Sequence, residues 1–180
     1  MKKTILFLSF ITITTALLAQ KVATTSAVIG FDATTAKDAL PKAENKTVIA
    51  SLDKTTGVLL FEAAVNNFSF SNPMMQDHFN SATWMNSAAF PKFTFSGKIV
   101  KLSEVKFNKN GTYKIKVKGD LTIKGKTQSI SLPATMVVKD GVVTARASFT
   151  VKLVDYGISA QPVESGKVSK EPKVTVAATF

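Results

Sequence analysis

Cysteine is absent from this chain, histidine and tryptophan occur once each, and only 12 residues are acidic. Each shortage removes a class of function. Without cysteine there is no disulfide framework, no thiol nucleophile and no lipid-modified cysteine behind an export signal. One histidine, His78, leaves too few ligands for a zinc site. A Ser–His–Asp triad would have to use it, and no G-x-S-x-G elbow is present. The acids are scattered, mostly near turns, and form no evident carboxylate pair for general acid–base work. The sequence therefore predicts neither an enzyme nor a bound cofactor.

Long apolar runs are almost as scarce. The exception is at the start, MKKTILFLSFITITTALLAQ, where Lys2 and Lys3 precede an uncharged run from Ile5 to Ala19. A positive end, a short apolar stretch and a small residue before Gln20 read as a secretory signal peptide. The stretch is shorter than the ~20 residues that span a bilayer. The expectation is a leader over 1–20, one domain over 21–180, and a periplasmic or secreted protein with no stable membrane insertion. Removing the leader leaves 21 basic against 12 acidic residues. That excess suits a lysine-covered soluble surface or contact with polyanions and anionic lipid.

What the chain does have is alternation. From Tyr113 to Ile123, Tyr113, Ile115, Val117, Gly119, Leu121 and Ile123 share one face, and Lys114, Lys116, Lys118, Asp120 and Thr122 share the other. This is a strand with one dry and one wet face. Phe93–Ile99, Ile130–Val138 and Val143–Leu153 repeat the pattern, and shorter runs lie at Ala27–Ala33, Thr47–Leu52, Val58–Val65 and Lys173–Phe180. Glycines at 57, 111, 125 and 141 punctuate the runs, several of them in hairpin-type turns. Eight strands joined mostly by tight turns make an antiparallel meander, either a two-sheet sandwich or a closed barrel. The long strands favour closure, which removes unpaired edges.

One stretch breaks the pattern. PMMQDHFNSATWMNSAAFP, residues 73–91, holds the only His, the only Trp and three of the five Met. Asn72 suits a helix cap and Pro73 a first helical position. Met74, Met75, His78, Phe79, Ala82 and Met85 recur at helix-like spacing, with Trp84 beside them. The spacing predicts short helical structure over about 73–90, split near Asn80–Ser81. It reads as a cover for one barrel end, or as a plug that completes the core.

Two other patterns carry no function. GDLTIKGKT has five residues between its glycines where a phosphate loop needs four, and it lies in a hairpin. KFTFSG resembles an aromatic nucleic-acid-binding strand, but Phe93 and Phe95 share the dry face and export argues against nucleic acid. An eight-stranded barrel either fills itself or holds one apolar ligand, and composition does not choose between these. An apolar cavity of about 300 Å³ or more would mark a binder. A solid core would leave the outer Lys stripe as the working surface of an interaction protein.

Several stretches together resemble the YceI-like family of lipocalin-like, bacterial periplasmic polyisoprenoid-binding proteins. GTYKIKVKGDLTIKGKTQSISLPATM is similar to the family's GdLTi-G-t strand and hairpin. MMQDHFNSATWMNSAAFPKFTFSGKIV is similar to its His, short helical stretch and aromatic-Pro-x-aromatic strand start, here His78, Phe79, Phe90, Pro91, Phe93 and Phe95. FTVKLVDYGI is similar to its late strand and acidic-aromatic-Gly turn. Many members carry Arg where this chain has Asn80, and Asn-Arg where it has Leu153 and Val154, so a head-group contact from those arginines does not carry over.

The resemblance implies an all-β, eight-stranded antiparallel lipocalin-like barrel sequestering a long apolar or amphiphilic lipid, such as an isoprenoid, and a homodimer in some members. The candidate ligand-binding residues are the strand residues Phe61, Phe68, Phe70, Phe93, Phe95, Tyr113, Ile115, Val117 and Phe149. Met74, Met75, His78, Phe79 and Trp84 join them from the 73–91 segment. His78 has a plainer reading as a helix residue at the barrel mouth.

Overall fold

The computed structural model describes residues 21–180; the expected leader, residues 1–20, lies outside the described residues. Eight strands form the barrel: β1 (Lys21–Asp32), β2 (Lys42–Asp53), β3 (Val58–Ala64), β5 (Lys92–Ile99), β6 (Gly111–Ile123), β7 (Lys126–Lys139), β8 (Val142–Thr150) and β9 (Lys173–Thr179). Each pairs antiparallel with its neighbour, and β1 pairs with both β2 and β9, which closes the sheet. A two-residue strand, β4 (Ser69–Phe70), adds to the start of β2. The expected closed eight-stranded barrel is the observed fold.

The local chemistry explains the meander. Lys124–Gly125 and Asp140–Gly141 each place two successive residues at positive φ. That is the two-residue hairpin turn whose twist matches the flanking strands. Along β6 burial alternates residue by residue through Tyr113–Lys118, with Ile115 and Val117 buried and their lysine neighbours exposed. Closure puts all these dry faces into one interior.

Some boundaries differ from the expectation. β1 and β2 extend beyond their apolar runs, because ladder pairing stabilises polar residues there as well. β8 stops at Thr150, not Leu153. Val151 and Leu153 donate their amides to Pro172 and Lys170 carbonyls, and the chain then coils into a 3-10 turn, Leu153–Tyr156, ending at Gly157 with φ 65°.

The segment after Asn72 begins as expected. Helix α1 (Pro73–Asn80) has Asn72 as its cap, its side chain accepting from the Met74 amide at 2.9 Å, with Pro73 at the first turn. No second helix follows. The Ser81 hydroxyl and amide both satisfy the His78 carbonyl, and the chain to Pro91 runs through turns, with Asn86 at φ 49°. A four-residue helix, α2 (Gln161–Glu164), lies in the β8–β9 connection.

The core divides along the barrel axis. One buried group, including Phe68, Phe79, Met85, Val151, Leu153, Tyr156 and Ile158, sits at the end covered by α1 and the 3-10 turn. The other, including Leu52, Ile99, Ile115, Met136, Val138 and Val143, fills the opposite end. Phe61, Phe149 and Phe180 touch both groups. Among the described residues no helix is long and apolar enough to cross a membrane.

Candidate functional site

A cavity of about 150 Å³ runs inside the barrel between the two core groups. Its wall is apolar: every bordering residue is aliphatic, aromatic, Met, Ala or Pro except Arg146. Arg146 belongs to the outward alternation of β8 and is exposed. An apolar space of this size stays dry and admits a small hydrocarbon. It is half the 300 Å³ mark, so in this conformation it takes a short apolar segment and not a whole polyisoprenoid. The barrel is nonetheless not filled by its own side chains.

Eight of the expected contact residues border the cavity: Phe61, Phe68, Phe79, Phe93, Phe95, Ile115, Val117 and Phe149. Alternation had placed the strand residues other than Phe68 on the dry face, and closure brings that face inward; Phe68, expected on a strand, lies instead between a separate 3-10 turn, Val65–Asn67, and β4. Phe79 arrives from outside the sheet. Its ring centroid lies 5.0 Å from Phe70, 5.9 Å from Phe68 and 6.3 Å from Phe31. This tilted cluster fastens α1 across the barrel end.

The other six lie elsewhere. Phe70 sits behind Phe79 and does not reach the cavity. Met74 is 67 % exposed, and His78 also faces solvent. Met75 is half-buried without bordering the cavity. Trp84 packs partly against the α1-end core. Tyr113 belongs to the opposite end, where its hydroxyl donates to the Lys106 and Lys109 carbonyls at 3.1 and 2.8 Å. Helix-like spacing named the right segment but not its inner face: α1 turns Phe79 inward and leaves Met74 and His78 outside.

Sequence reasoning passed over other wall residues. Ile29 and Phe31 on β1, Val174 and Val176 on β9, and Leu153 and Ile158 around the 3-10 turn all border the cavity. The strand positions carried a usable signal, because each continues its strand's alternation. Leu153 carried one too, as the last dry-face residue of the alternation from Val143, although the strand itself ends at Thr150; Ile158 carried none, since it reaches the cavity only through the turn. Met85, also on the wall, had been named as part of the helical pattern.

Polar groups near the α1 end are structural. Asn45 is fully buried; its amide donates to the Ala64 carbonyl at 2.9 Å and its oxygen accepts from the Thr47 amide and hydroxyl. Burial pushes the Tyr156 hydroxyl up to about 12, with the Asp155 charge adding to the effect. For Asp32, burial opposes ionisation, but hydrogen bonds from Thr34 and the nearby Lys42 hold the carboxyl below its ordinary value. Among the described residues no group of three or more His, Cys, Asp or Glu side chains could hold a metal.

Comparison with known proteins agrees with this fold. No functionally curated protein matches the chain. Among solved structures, the chain is similar to BcnA of Burkholderia cenocepacia, with 17% identity and a TM-score of 0.69 over 86% of this chain and 96% of that one. It is also similar to a polyisoprenoid binding domain from Saccharophagus degradans, implicated in plant cell wall breakdown, with 10% identity and a TM-score of 0.75 over 89% and 97% of the two chains. The Campylobacter jejuni YCEI protein shares 19% identity at a TM-score of 0.53, over 74% of this chain and 80% of that one. At such identities these likenesses establish the fold alone. The profile of the YceI-like domain matches residues 13–180, nearly the whole sequence, and on that ground the chain belongs to the YceI-like family.

Proposed function

We propose that this protein is a non-enzymatic carrier that shields an apolar chain, of isoprenoid type, inside its barrel after export to the periplasm or beyond. The observation that carries this reading is the apolar cavity between the two core groups. Family membership supports it, and so does the polyisoprenoid-binding description of the Saccharophagus degradans relative. The leader-like start of the sequence supports the location.

The mechanism is solubilisation. Each CH₂ removed from water contributes about 0.8 kcal/mol, so a chain of several isoprene units is held without a charged anchor. A ligand longer than the resting cavity requires the wall to yield. The wall contains side chains suited to that: Met85 and Met136 are flexible, and the phenylalanine rings at the α1 end meet in tilted pairs. The α1-to-Pro91 segment, held over the barrel end largely by Phe79 and Met85, is the element whose movement lengthens the space.

Mass spectrometry of an organic extract from protein purified without detergent tests the proposal. A near-stoichiometric lipid with a long apolar chain is the expected result. An empty extract, together with no uptake of added prenol, would leave the basic exterior as the working surface.

A further inference from the structure

The barrel wall is not hydrogen-bonded along its full height. The β7–β8 ladder runs from Lys139–Val142 to Ala134–Ala147 and stops. The next residue of β7 is Pro133, which has no amide hydrogen to donate. Beyond it, Lys126–Pro133 pairs only with β6, and Ser148–Thr150 pairs only with β9. Among the described residues no backbone hydrogen bond crosses the gap, and one side-chain bond bridges its top, from the Gln128 amide to the Asp155 carbonyl at 2.9 Å. The gap extends over about six residues, roughly 20 Å of strand.

The lips of this gap are cavity wall. Leu132 and Ala134 on β7, and Ala147 and Phe149 on β8, all border the cavity. Ala134 and Ala147 form the last ladder pair, and beyond them side chains seal the wall, so parting Leu132 from Phe149 breaks no ladder bond. A second interruption, where β5 ends beside β6, is covered. There Val100 donates to the Lys116 carbonyl, Val105 is buried, and the Tyr113 hydroxyl holds the connecting loop. The β7–β8 gap is covered at its top, where the 3-10 turn packs against β7 and the Lys126 side chain lies against Gly157; among the described residues no loop is held by hydrogen bonds across its lower part, between Leu132 and Phe149.

The outer rim is basic. Lys116 and Lys118 lie on β6, opposite Pro133 and Ser131 and one strand away from the gap, and Arg146 and Lys152 project from the β8 side; all four are exposed, and none has a carboxylate within 4 Å among the described residues. Lys118 even sits opposite Lys98 in the ladder, a like-charge pairing that destabilises a sheet. The acids at hand are Asp120, already hydrogen-bonded by Ser129, and Asp155. Val154, 72 % exposed, stands on the 3-10 turn whose Asp155 bridges the top of the gap.

We propose that the β7–β8 gap is the side entrance to the cavity, used by amphiphiles whose apolar chain passes between Leu132 and Phe149 while an anionic head group stays on the basic rim. This rests on the carrier function proposed above and adds the route and the head-group class.

The test joins Ser131→Cys and Thr150→Cys, positions that would face each other if the ladder continued, with a reducible bis-thiol linker; the chain has no other cysteine. Uptake of geranylgeranyl phosphate and of geranylgeraniol is followed before and after linking. Linking should slow uptake and release at least tenfold, reduction should restore them, and the pair Val137→Cys/Thr144→Cys on the intact ladder should have no effect. Lys118→Ser with Arg146→Ser should weaken the phosphate about tenfold and leave the alcohol unchanged. Unchanged rates in the linked protein overturn the entrance, and equal behaviour of the two prenyl ligands overturns the head-group class, while uptake itself stands. Failure of the unlinked protein to take up either ligand overturns the carrier function instead. Hydrogen exchange gives a readout without linking: β8-facing amides of Gln128–Leu132 should exchange faster than those of Thr135–Val138 and slow on loading, and equal protection overturns the proposal.

Discussion

Gly97 faces Gly119 across the β5–β6 ladder, and the ring of Phe95 lies over both. A Cβ at 97 would sit 2.6 Å from Phe95 Cε1, and one at 119 would sit 2.9 Å from Phe95 Cζ. Two missing side chains on the inner face thus let an aromatic ring lie flat against the sheet instead of projecting across the cavity. A Cβ at 119 would also strike the backbone of Ser96 and Gly97, which cannot rotate aside.

Gly97→Ala should therefore push Phe95 into the cavity, destabilising the protein by about 1–3 kcal/mol and weakening prenol binding; Gly119→Ala should cost more. Denaturant midpoints and a prenol titration check this. Unchanged stability and binding in both variants would refute the ring placement.

Ile115 and Lys116 are neighbours on opposite faces of β6. Ile115→Asp should abolish folding or ligand retention, because a lone carboxylate would replace a buried aliphatic on the cavity wall. Lys116→Asp should leave the melting temperature within a few degrees of the parent. Equal tolerance at the two positions would contradict the inward assignment of this strand.

Phe79 ties α1 to the barrel. Phe79→Ala should leave the strands folded, raise hydrogen exchange over residues 73–90 and shift the emission of Trp84, which packs partly against the same core group. A fully buried Phe lost to Ala costs about 3–5 kcal/mol. If global stability fell by that full amount with no selective change in 73–90, the segment would be an integral part of the core and not a separable cover.

Tyr156 links stability to high pH. Its folded-state pKa is about 12 against an ordinary value of 10.0. Between these values the folded form keeps a proton that the unfolded form has lost. Its contribution is complete below pH 10 and falls as pH rises toward 12. Tyr156→Phe should flatten the pH dependence of the denaturation midpoint in that window. Parallel curves for parent and variant would disprove the assignment.

The barrel was legible because its information is local. Alternation in β6 or β7 needs only neighbouring residues, and Gly125 and Gly141 mark where the chain reverses. Of the wall residues that were missed, those on β1 and β9 followed the same local alternation, whereas Ile158 depends on distant parts of the chain. Leu153 keeps the inward side that alternation gave it, but Ile158 reaches the cavity only because the chain leaves the strand after Thr150, pairs with Lys170 and Pro172, and coils into the 3-10 turn. The orientation of α1 was not legible either. Met74, Met75 and Phe79 are all apolar, and only the aromatic cluster of Phe31, Phe68 and Phe70 selects Phe79 to face inward. The gap between β7 and β8 was half visible in Pro133, but a proline cannot show which neighbour it parts from.

The most direct measurement of the central claim is prenol affinity as a function of chain length, from one isoprene unit to eight, with the folded, delipidated protein. The resting cavity of about 150 Å³ holds the shortest members. The account predicts binding that tightens with each added unit, then levels off when the opened interior is full, accompanied by a change in Trp84 emission once the chain outgrows the resting space. Absence of binding at every length by a correctly folded barrel would contradict it.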